Sequence, residues 1–432
     1  MAFKSAFLQE LSDRGLIYQG THLEALDQLA AEKSLTLYIG FDATAPSLHV
    51  GHLMPIMVLR LAQKHGHKPI VIMGGGTTKL GDPSFKDTAR PLLDSATINS
   101  NLRSIQKIFA KYLKFGSSSA DALILNNDDW LGALNYLDFL RDYGRHFSVN
   151  RMLTFEGVKL RLEREQSLSF LEFNYMILQG YDFLELYRRH DCVLQMGGSD
   201  QWGNILNGVE LVRRTESKEV FGLTYPLLTT SSGKKMGKSE QGAVWLNSDQ
   251  LSPFDFWQFW RNTDDADVLS FLKIFTDLPL AQIATYEGVE GEGLNALKVL
   301  LADEATKLAH GEAVLSEIQK SAHQLFDQHH LSVEVTGHDA EGNPILKTGL
   351  PVVKISADVI KAGMPIYDLL VQAGLCPSKS EGRRLVRGGG VSVNGAKVTD
   401  ENTMIDASFL QEPGIIRVSV GKKTHVILQP IS

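Results

Sequence analysis

Three groups of residues in this 432-residue chain have types and spacings that could do chemistry. The first lies in DATAPSLHVGH, Asp42 to His52. An apolar run ends at Phe41, a turn follows, and His49 and His52 flank Gly51 where a helix is expected to begin. Imidazole donors and free backbone N–H groups would face one point there, and a glycine at a helix start lets a phosphate approach the backbone. Taken alone, the turn is equally compatible with histidines that only cap the helix. A zinc site built from His49, His52, His65 and His67 fits less well, because it lacks the i, i+4 spacing of common helical ligand pairs and any nearby cysteine.

The second group is GKKMGKS, Gly233 to Ser239. Lys235 and Lys238 stand three apart on a glycine-flanked loop, a cationic clamp suited to charge that grows on a leaving pyrophosphate. The GxxxxGKS/T spacing of a Walker A loop is absent, and a lysine-rich loop by itself is more often only solvated. The third group is Tyr175, Gln179 and Asp182, which share one helical face at i, i+4 and i+7. Phe170, Phe173, Met176, Ile177 and Leu178 cover much of the rest of that helix. A polar stripe on such a helix faces either water or a polar pocket. GGSDQ, 197–201, follows a β-type run and opens a helix; without context it is a turn and a cap.

The elements that must position these groups alternate in the first half. Runs LTLYIGF (35–41), PIVIMGG (69–75) and LILNN (123–127) are separated by helical patterns near 49–64 and 97–111. Such alternation predicts a parallel sheet flanked by helices. A helical stretch over roughly 134–190 and the run CVLQMGG (192–198) follow. The expected fold is α/β: a Rossmann-like catalytic domain over 1–245 with a helical insertion near 135–170, an all-α domain over 246–331, a Gly/Pro-marked linker over 332–355 and a small α+β module over 356–432. Phe254, Trp257 and Trp260 are the expected anchors of the all-α domain.

The pairing of HVGH with KMGKS, about 185 residues apart and either side of a helical insertion, is far more specific than either element. The chain resembles the class I aminoacyl-tRNA synthetases, and within them the bacterial-type tyrosyl-tRNA synthetases. The resemblance rests on YIGFDATAPSLHVGH (38–52), GDPSFKDTAR (81–90), FLRDYGRHFSVNRML (139–153), SFLEFNYMILQGYDF (169–183), QMGGSDQWGNI (195–205) and KMGKS (235–239). It implies activation of tyrosine by magnesium-bound ATP and transfer to tRNA(Tyr), with no tightly bound metal or organic cofactor. Catalytic roles fall to His49, His52, Lys235, Lys238 and Ser239. A tyrosine pocket follows from Tyr38, Tyr175, Gln179, Asp182 and Gln201, with Tyr38 and Asp182 meeting the phenolic hydroxyl, which needs both a donor and an acceptor. Asp42, Gly51 and Asp200 join the ATP site, and Lys86 and Arg90 reach the pyrophosphate. The insertion matches the family's dimer interface, so a homodimer is expected. Gly237 departs from the family signature, which has a serine there, and the linker is longer than the family's usual join. The related tryptophanyl enzymes lack the Tyr38 and Asp182 pair, and a degenerate RNA-binding paralogue would not be expected to keep both signatures.

At the C-terminus, Arg383, Arg384 and Arg387 fall at helical spacing on a short helix that Ser380 could cap, followed by VSVNGAKV, whose Asn-Gly reads as a tight hairpin turn. This resembles a small RNA-binding module shared with a ribosomal protein and RNA-modifying enzymes. The net charge of −7 hides a division: residues 361–432 carry nine basic and six acidic side chains, a net +3, which leaves −10 on the rest. A basic tail on an acidic body allows nucleic-acid binding. Two distant cysteines, Cys192 and Cys376, argue against a disulfide framework or a cysteine zinc site and fit a reducing cytoplasm. The N-terminal stretch lacks the apolar core of a signal peptide, and Glu172, Asp182 and Glu185 exclude a membrane span from the most apolar helix.

Overall fold

The computed structural model describes residues 2–82, 92–231, 233, 236–239, 242–326, 333–339, 342–348, 350–421 and 424–431. The chain divides into two compact units, Met1–Gln250 with Thr263–Glu304, and Leu251–Asn262 with Ala305–Ser432.

Among the described residues of the first unit, six strands form one sheet: β1 (Gln19–Gly20), β2 (Thr36–Asp42), β3 (Lys68–Gly74), β4 (Leu123–Asn126), β5 (Cys192–Gly198) and β6 (Phe221–Tyr225). Their order is β1-β6-β5-β2-β3-β4. Neighbours run parallel except β1, which is antiparallel to β6. β3 reads KPIVIMG and is buried after its first residue, as a parallel strand covered on both faces must be. The chain leaves β2 toward β3 and β4, then returns to lay β5 and β6 on the other side. Strand order therefore reverses between β2 and β5, and ligands of open parallel sheets sit outside the carboxyl ends of strands at such a point.

Three helices frame that point. Leu53–Lys64 follows β2 and buries nine of its residues. Phe170–His190 starts at a reciprocal cap between Ser169 and Glu172 and ends at Asp191 in the left-handed region. Trp202–Glu216 follows β5 and packs on it. The short helices Tyr136–Asp142, Val149–Met152 and Glu156–Glu163 occupy the expected insertion, and the buried Arg161–Glu172 pair, 2.8 Å apart, ties it to the Phe170–His190 helix. β7 (Lys238–Ser239) and β8 (Gly242–Ala243) pair antiparallel.

Two boundaries differ from the sequence expectation. Residues 263–304 belong with the first unit rather than with one all-α domain over 246–331. The Val268–Phe275 helix packs on Leu53–Lys64, and the buried Arg14 guanidinium donates to the carbonyls of Lys273, Thr276 and Leu278. Helical periodicity reveals that a face is buried, not what buries it. The stretch 332–355 is also more than a linker: β9 (Glu334–His338) and β10 (Pro344–Lys347) form an antiparallel hairpin, and β11 (Val352–Ser356) already pairs in the C-terminal sheet. Gly342 and Pro351 lie between strands there, whereas Gly337 and Pro344 lie within β9 and β10.

The C-terminal module adds β12 (Met364–Pro365), β13 (Val391–Val393), β14 (Ala396–Val398), β15 (Met404–Ile405), β16 (Ile416–Val420) and β17 (Thr424–Ile431). Its main sheet runs β11-β17-β16-β13-β14, and β12 pairs with β15. The helices Ile366–Gln372 and Lys379–Arg387 bury Ile366, Leu369, Leu370 and Val386 against Val391, Val393 and Ile416. Asn394 and Gly395 take φ of 51° and 83°, the two left-handed residues that a two-residue hairpin turn needs. The arginine helix begins at Lys379, so its cap is Ser378, whose hydroxyl accepts from the Glu381 N–H. Ser380, the expected cap, lies inside the first turn. No helix among the described residues is long and apolar enough to cross a membrane.

Candidate active site

Tyr38, Gly40 and Asp42 stand at alternate positions of β2 and so face one side of the sheet. They line a cavity of about 450 Å³ at the β2/β5 switch, together with His49, Gly51 and His52 from the turn after β2. Tyr175, Gln179 and Asp182 enter it from the Phe170–His190 helix, and Asp200 and Gln201 from the turn after β5. The polar stripe of that helix therefore faces a pocket rather than water. A side-chain carbon built on Gly40 would meet nothing within 4 Å, so the floor of the cavity is open for a ligand to lie on β2. A second cavity, about 600 Å³, shares Asp200 and Leu227 with the first and is lined by Tyr18, Arg151 and Trp202. None of the other described site residues lines it.

One hydrogen-bonded network runs along the cavity wall. Asp182, 3% exposed, accepts from Trp130 Nε1 at 2.7 Å and from Asn127 Nδ2 at 2.9 Å. Asn127 Nδ2 also reaches Thr77 Oγ1, which donates to Asp42 Oδ1, and the Tyr175 hydroxyl donates to Asp42 Oδ2 at 3.0 Å. Asn204 donates to Gln179 and Gln201, and Gln201 donates to Asp82 and Asp200. The Tyr38 hydroxyl, by contrast, is buried with no hydrogen-bond partner among the described residues. Burial, with the Asp182 charge nearby, holds the Tyr38 phenol well above the usual range. Burial pushes the Asp182 carboxyl up to about 7, against the pull of its Asn127 and Trp130 donors. Tyr175 is raised by burial and by Asp42, Asp82 and Asp182 around it.

His49 and His52 form a reciprocal cap. Gly51 N–H donates to His49 Nδ1 at 3.0 Å, and His49 N–H donates to His52 Nδ1 at 3.3 Å. Val50 N–H goes to the Val244 carbonyl and His52 N–H to that of His49. The backbone donors expected to be free for a phosphate are thus spent within the protein. Acceptance at Nδ1 puts the proton of a neutral ring on Nε2. The rings lie 4.1 Å apart, so two donors stand side by side.

The second signature reaches the same place. His49 bridges to Trp245, and Leu246 N–H donates to the Leu48 carbonyl. A Cβ on Gly51 would lie 3.0 Å from the Met236 carbonyl oxygen, and one on Gly237 would lie 2.8 Å from His49 Nδ1. Gly237 also has φ of 119°, so the departure from serine fits both the backbone and the imidazole beside it. Lys86, Arg90 and Lys235 lie outside the described residues. Lys238 and Ser239 are described through their backbone, which pairs with Ala243 and Gly242. Arg383, Arg384 and Arg387 belong to the second unit, on the Lys379–Arg387 helix.

Thr77, Asp82, Asn127, Trp130 and Asn204 were not singled out from the sequence. Asn127 and Trp130 had a usable signal, since they follow the carboxyl end of β4, where ligands of parallel sheets gather. Thr77 and Asp82 sit just beyond β3 in the same way.

Residues 30–327 match the family model of tRNA synthetases class I (W and Y), and residues 364–408 match the S4 domain. A tyrosine–tRNA ligase of Caulobacter sp. (strain K31) is 55% identical over 430 residues, covering 100% of this chain and 99% of that protein. That of Zymomonas mobilis is 55% identical over 427 residues, 99% of each. The crystal structure of a C-terminally truncated Aspergillus nidulans mitochondrial tyrosyl-tRNA synthetase superposes with a TM-score of 0.66 at 32% identity, over 74% of this chain and 94% of that one. With a Rossmann-like sheet, the HVGH turn at its cavity, Gly237 of the second signature against His49 and relatives matched end to end, the chain belongs to the class I tRNA synthetases of the tryptophan and tyrosine family, and within it to the bacterial tyrosine–tRNA ligases.

Proposed function

We propose that this chain activates tyrosine with ATP to tyrosyl-adenylate and pyrophosphate, then transfers the tyrosyl group to the 3′-terminal ribose of tRNA(Tyr). The observation that carries this reading is the pairing of a buried Tyr38 hydroxyl, with no partner among the described residues, and the Asp182 carboxylate in a cavity that also holds the HVGH turn. A phenol donates to Asp182 and accepts from Tyr38; a phenylalanine ring offers Asp182 no further donor and leaves the buried Tyr38 hydroxyl unsatisfied, at about 1–3 kcal/mol for that group.

At the amino end, Tyr175 already donates to Asp42, so its oxygen is left to accept from the substrate ammonium, beside Gln179. Gln201 lines the site, and Asp82 adds negative charge for the cation. Asp200 accepts from a ribose hydroxyl of ATP. The tyrosine carboxylate oxygen attacks the α-phosphorus in line, forming the acyl–phosphate bond as the bond to pyrophosphate breaks. In the second step a terminal ribose hydroxyl attacks the carbonyl carbon, its proton is lost, and AMP departs. Neither step needs an enzyme nucleophile, so catalysis is positioning and charge stabilisation. His49 and His52 donate from Nε2 to the phosphates, while Lys235, Lys238 and Ser239 meet the β and γ phosphates and Lys86 and Arg90 the departing pyrophosphate. Magnesium would accompany the phosphates of ATP and offset their charge.

The exposed apolar side chains of the insertion and of the helix after it, Tyr136, Leu137, Val149, Leu162 and Phe170, support a homodimer through that face. The S4 match and the arginine helix support tRNA binding by the C-terminal module, and the chain would work in the cytoplasm. Amino-acid-dependent ATP–pyrophosphate exchange tests the reading. Tyrosine should support exchange while tryptophan and phenylalanine do not; no exchange with tyrosine overturns it.

A further inference from the structure

The four basic residues of the Lys379–Arg387 helix are not equivalent. Lys379 pairs with Asp368 at 2.7 Å, Arg384 with Glu381 at 2.6 Å and Arg387 with Glu401 at 2.7 Å. Arg383 makes no hydrogen bond or ion pair among the described residues. Its guanidinium carbon lies 4.2 Å from the ring centroid of Tyr367, on the neighbouring Ile366–Gln372 helix. The nearby Glu401 feels the Arg383 charge but bonds to Arg387.

Tyr367 is itself fixed. A Cβ on the buried Gly382 would come within 2.9 Å of the Tyr367 carbonyl oxygen and 3.2 Å of its Cα, so the two helices cross at backbone contact one residue before Arg383. A planar cation held over an aromatic face keeps its edge donors pointing outward, and loses less freedom when they bind. An anion that reached Arg384 or Arg387 would have to displace a carboxylate; one that reached Arg383 would not.

We infer that Tyr367 is a positioning residue that presents Arg383 to an RNA phosphate, and that Arg383 is the leading RNA contact of this helix. The inference rests on the reading of the module as the tRNA-binding part of the chain. Losing a phosphate contact weakens binding and flattens the salt dependence, so Arg383→Gln should raise the tRNA KM about tenfold and lower the slope of log Kd against log salt by about one. Tyr367→Leu should raise that KM roughly two- to fivefold, as expected for a partly exposed cation–π contact. Tyr367→Phe, which keeps the ring face, should stay within about twofold of the parent.

The experiment measures tRNA KM and kcat in charging, with the full chain and ATP–pyrophosphate exchange as the control expected to stay constant. A double-mutant cycle separates positioning from packing: in an Arg383→Gln background, Tyr367→Leu should have no further effect on tRNA binding. A full additional loss there, or a loss for Tyr367→Phe equal to that for Tyr367→Leu, overturns the assignment of Tyr367. A larger effect from Arg384→Gln or Arg387→Gln than from Arg383→Gln overturns the ranking. If none of the three arginine changes moves the tRNA KM, the RNA reading of the helix fails, and the inference fails with it.

Discussion

Replacing Tyr38 by phenylalanine should stabilise the unliganded chain and weaken its hold on tyrosine. The hydroxyl is buried with no partner among the described residues, and an unsatisfied buried polar group costs about 1–3 kcal/mol. The ring lines the cavity and packs edge-on against Phe183, contacts that phenylalanine keeps, so removing one oxygen sacrifices little packing. The first unit holds about 290 residues; at roughly 2 cal/mol/K of unfolding entropy per residue, each 1 kcal/mol moves its midpoint by nearly 2 °C. The Tm should therefore rise by about 2–5 °C. With substrate bound, the same change removes one hydrogen bond to the phenol, worth about 0.5–1.5 kcal/mol, so the tyrosine KM should rise about 2- to 13-fold. Phenylalanine makes no such bond, and its kcat/KM should hold constant, lowering the preference for tyrosine by that factor. Melting curves and pyrophosphate exchange with both amino acids read the two effects. A lower Tm combined with an unchanged tyrosine KM would refute the argument, because the hydroxyl would then be satisfied within the protein and absent from the substrate's surroundings.

Asp182 is the stronger acceptor for a phenol when ionised, and burial pushes its carboxyl up to about 7, so the tyrosine KM should fall as pH rises through neutrality and then level. Asp182→Asn should abolish that dependence. Because the folded value is raised, the stability linked to Asp182 is present in acid and lost as pH rises from about 4 to 7; Asp182→Asn should thus raise the Tm of the free chain above pH 7, and equal melting at both ends of the window would contradict the shift. Gly40→Val should fold normally, since its side chain meets open space, yet lower exchange by about 100-fold or more through occlusion; normal turnover would remove β2 from the ligand floor. Lys238→Ala should cut the activation rate by roughly 10²–10³ while tyrosine binding by equilibrium dialysis changes little, and equal losses in both would point to a role in binding. Phe170→Glu on the exposed apolar face should shift the sedimentation mass toward a monomer at micromolar concentration, and an unchanged dimer would place the interface elsewhere.

The parallel sheet was legible because its strands are short apolar runs separated by helical periodicity. β2, β3, β4 and β5 lie within a residue or two of the runs that announced them. β6, FGLTY, was not distinguished from its surroundings, since a five-residue strand carries little periodic signal. The site was legible wherever chemistry is packed into consecutive residues, as in HVGH or the Tyr175, Gln179 and Asp182 face. It was not legible where function depends on bonds between distant segments: Trp130 and Asn127 matter because they donate to Asp182, 52 and 55 positions away. The cap geometry was likewise hidden, because whether a turn offers its N–H groups or spends them on its own imidazoles is decided by rotamers.

The near-collision of Gly237 with the His49 ring has an evolutionary consequence. The two signatures interlock like a key and its ward, so a change in one is judged by the other. Grafting a serine-bearing loop from a relative would press a β-carbon into the imidazole, and the ring, the loop or the turn after β2 would have to shift to restore the fit. Such loops should drift as a matched pair across the lineage, and chimaeras that exchange only one of them should inherit the mismatch.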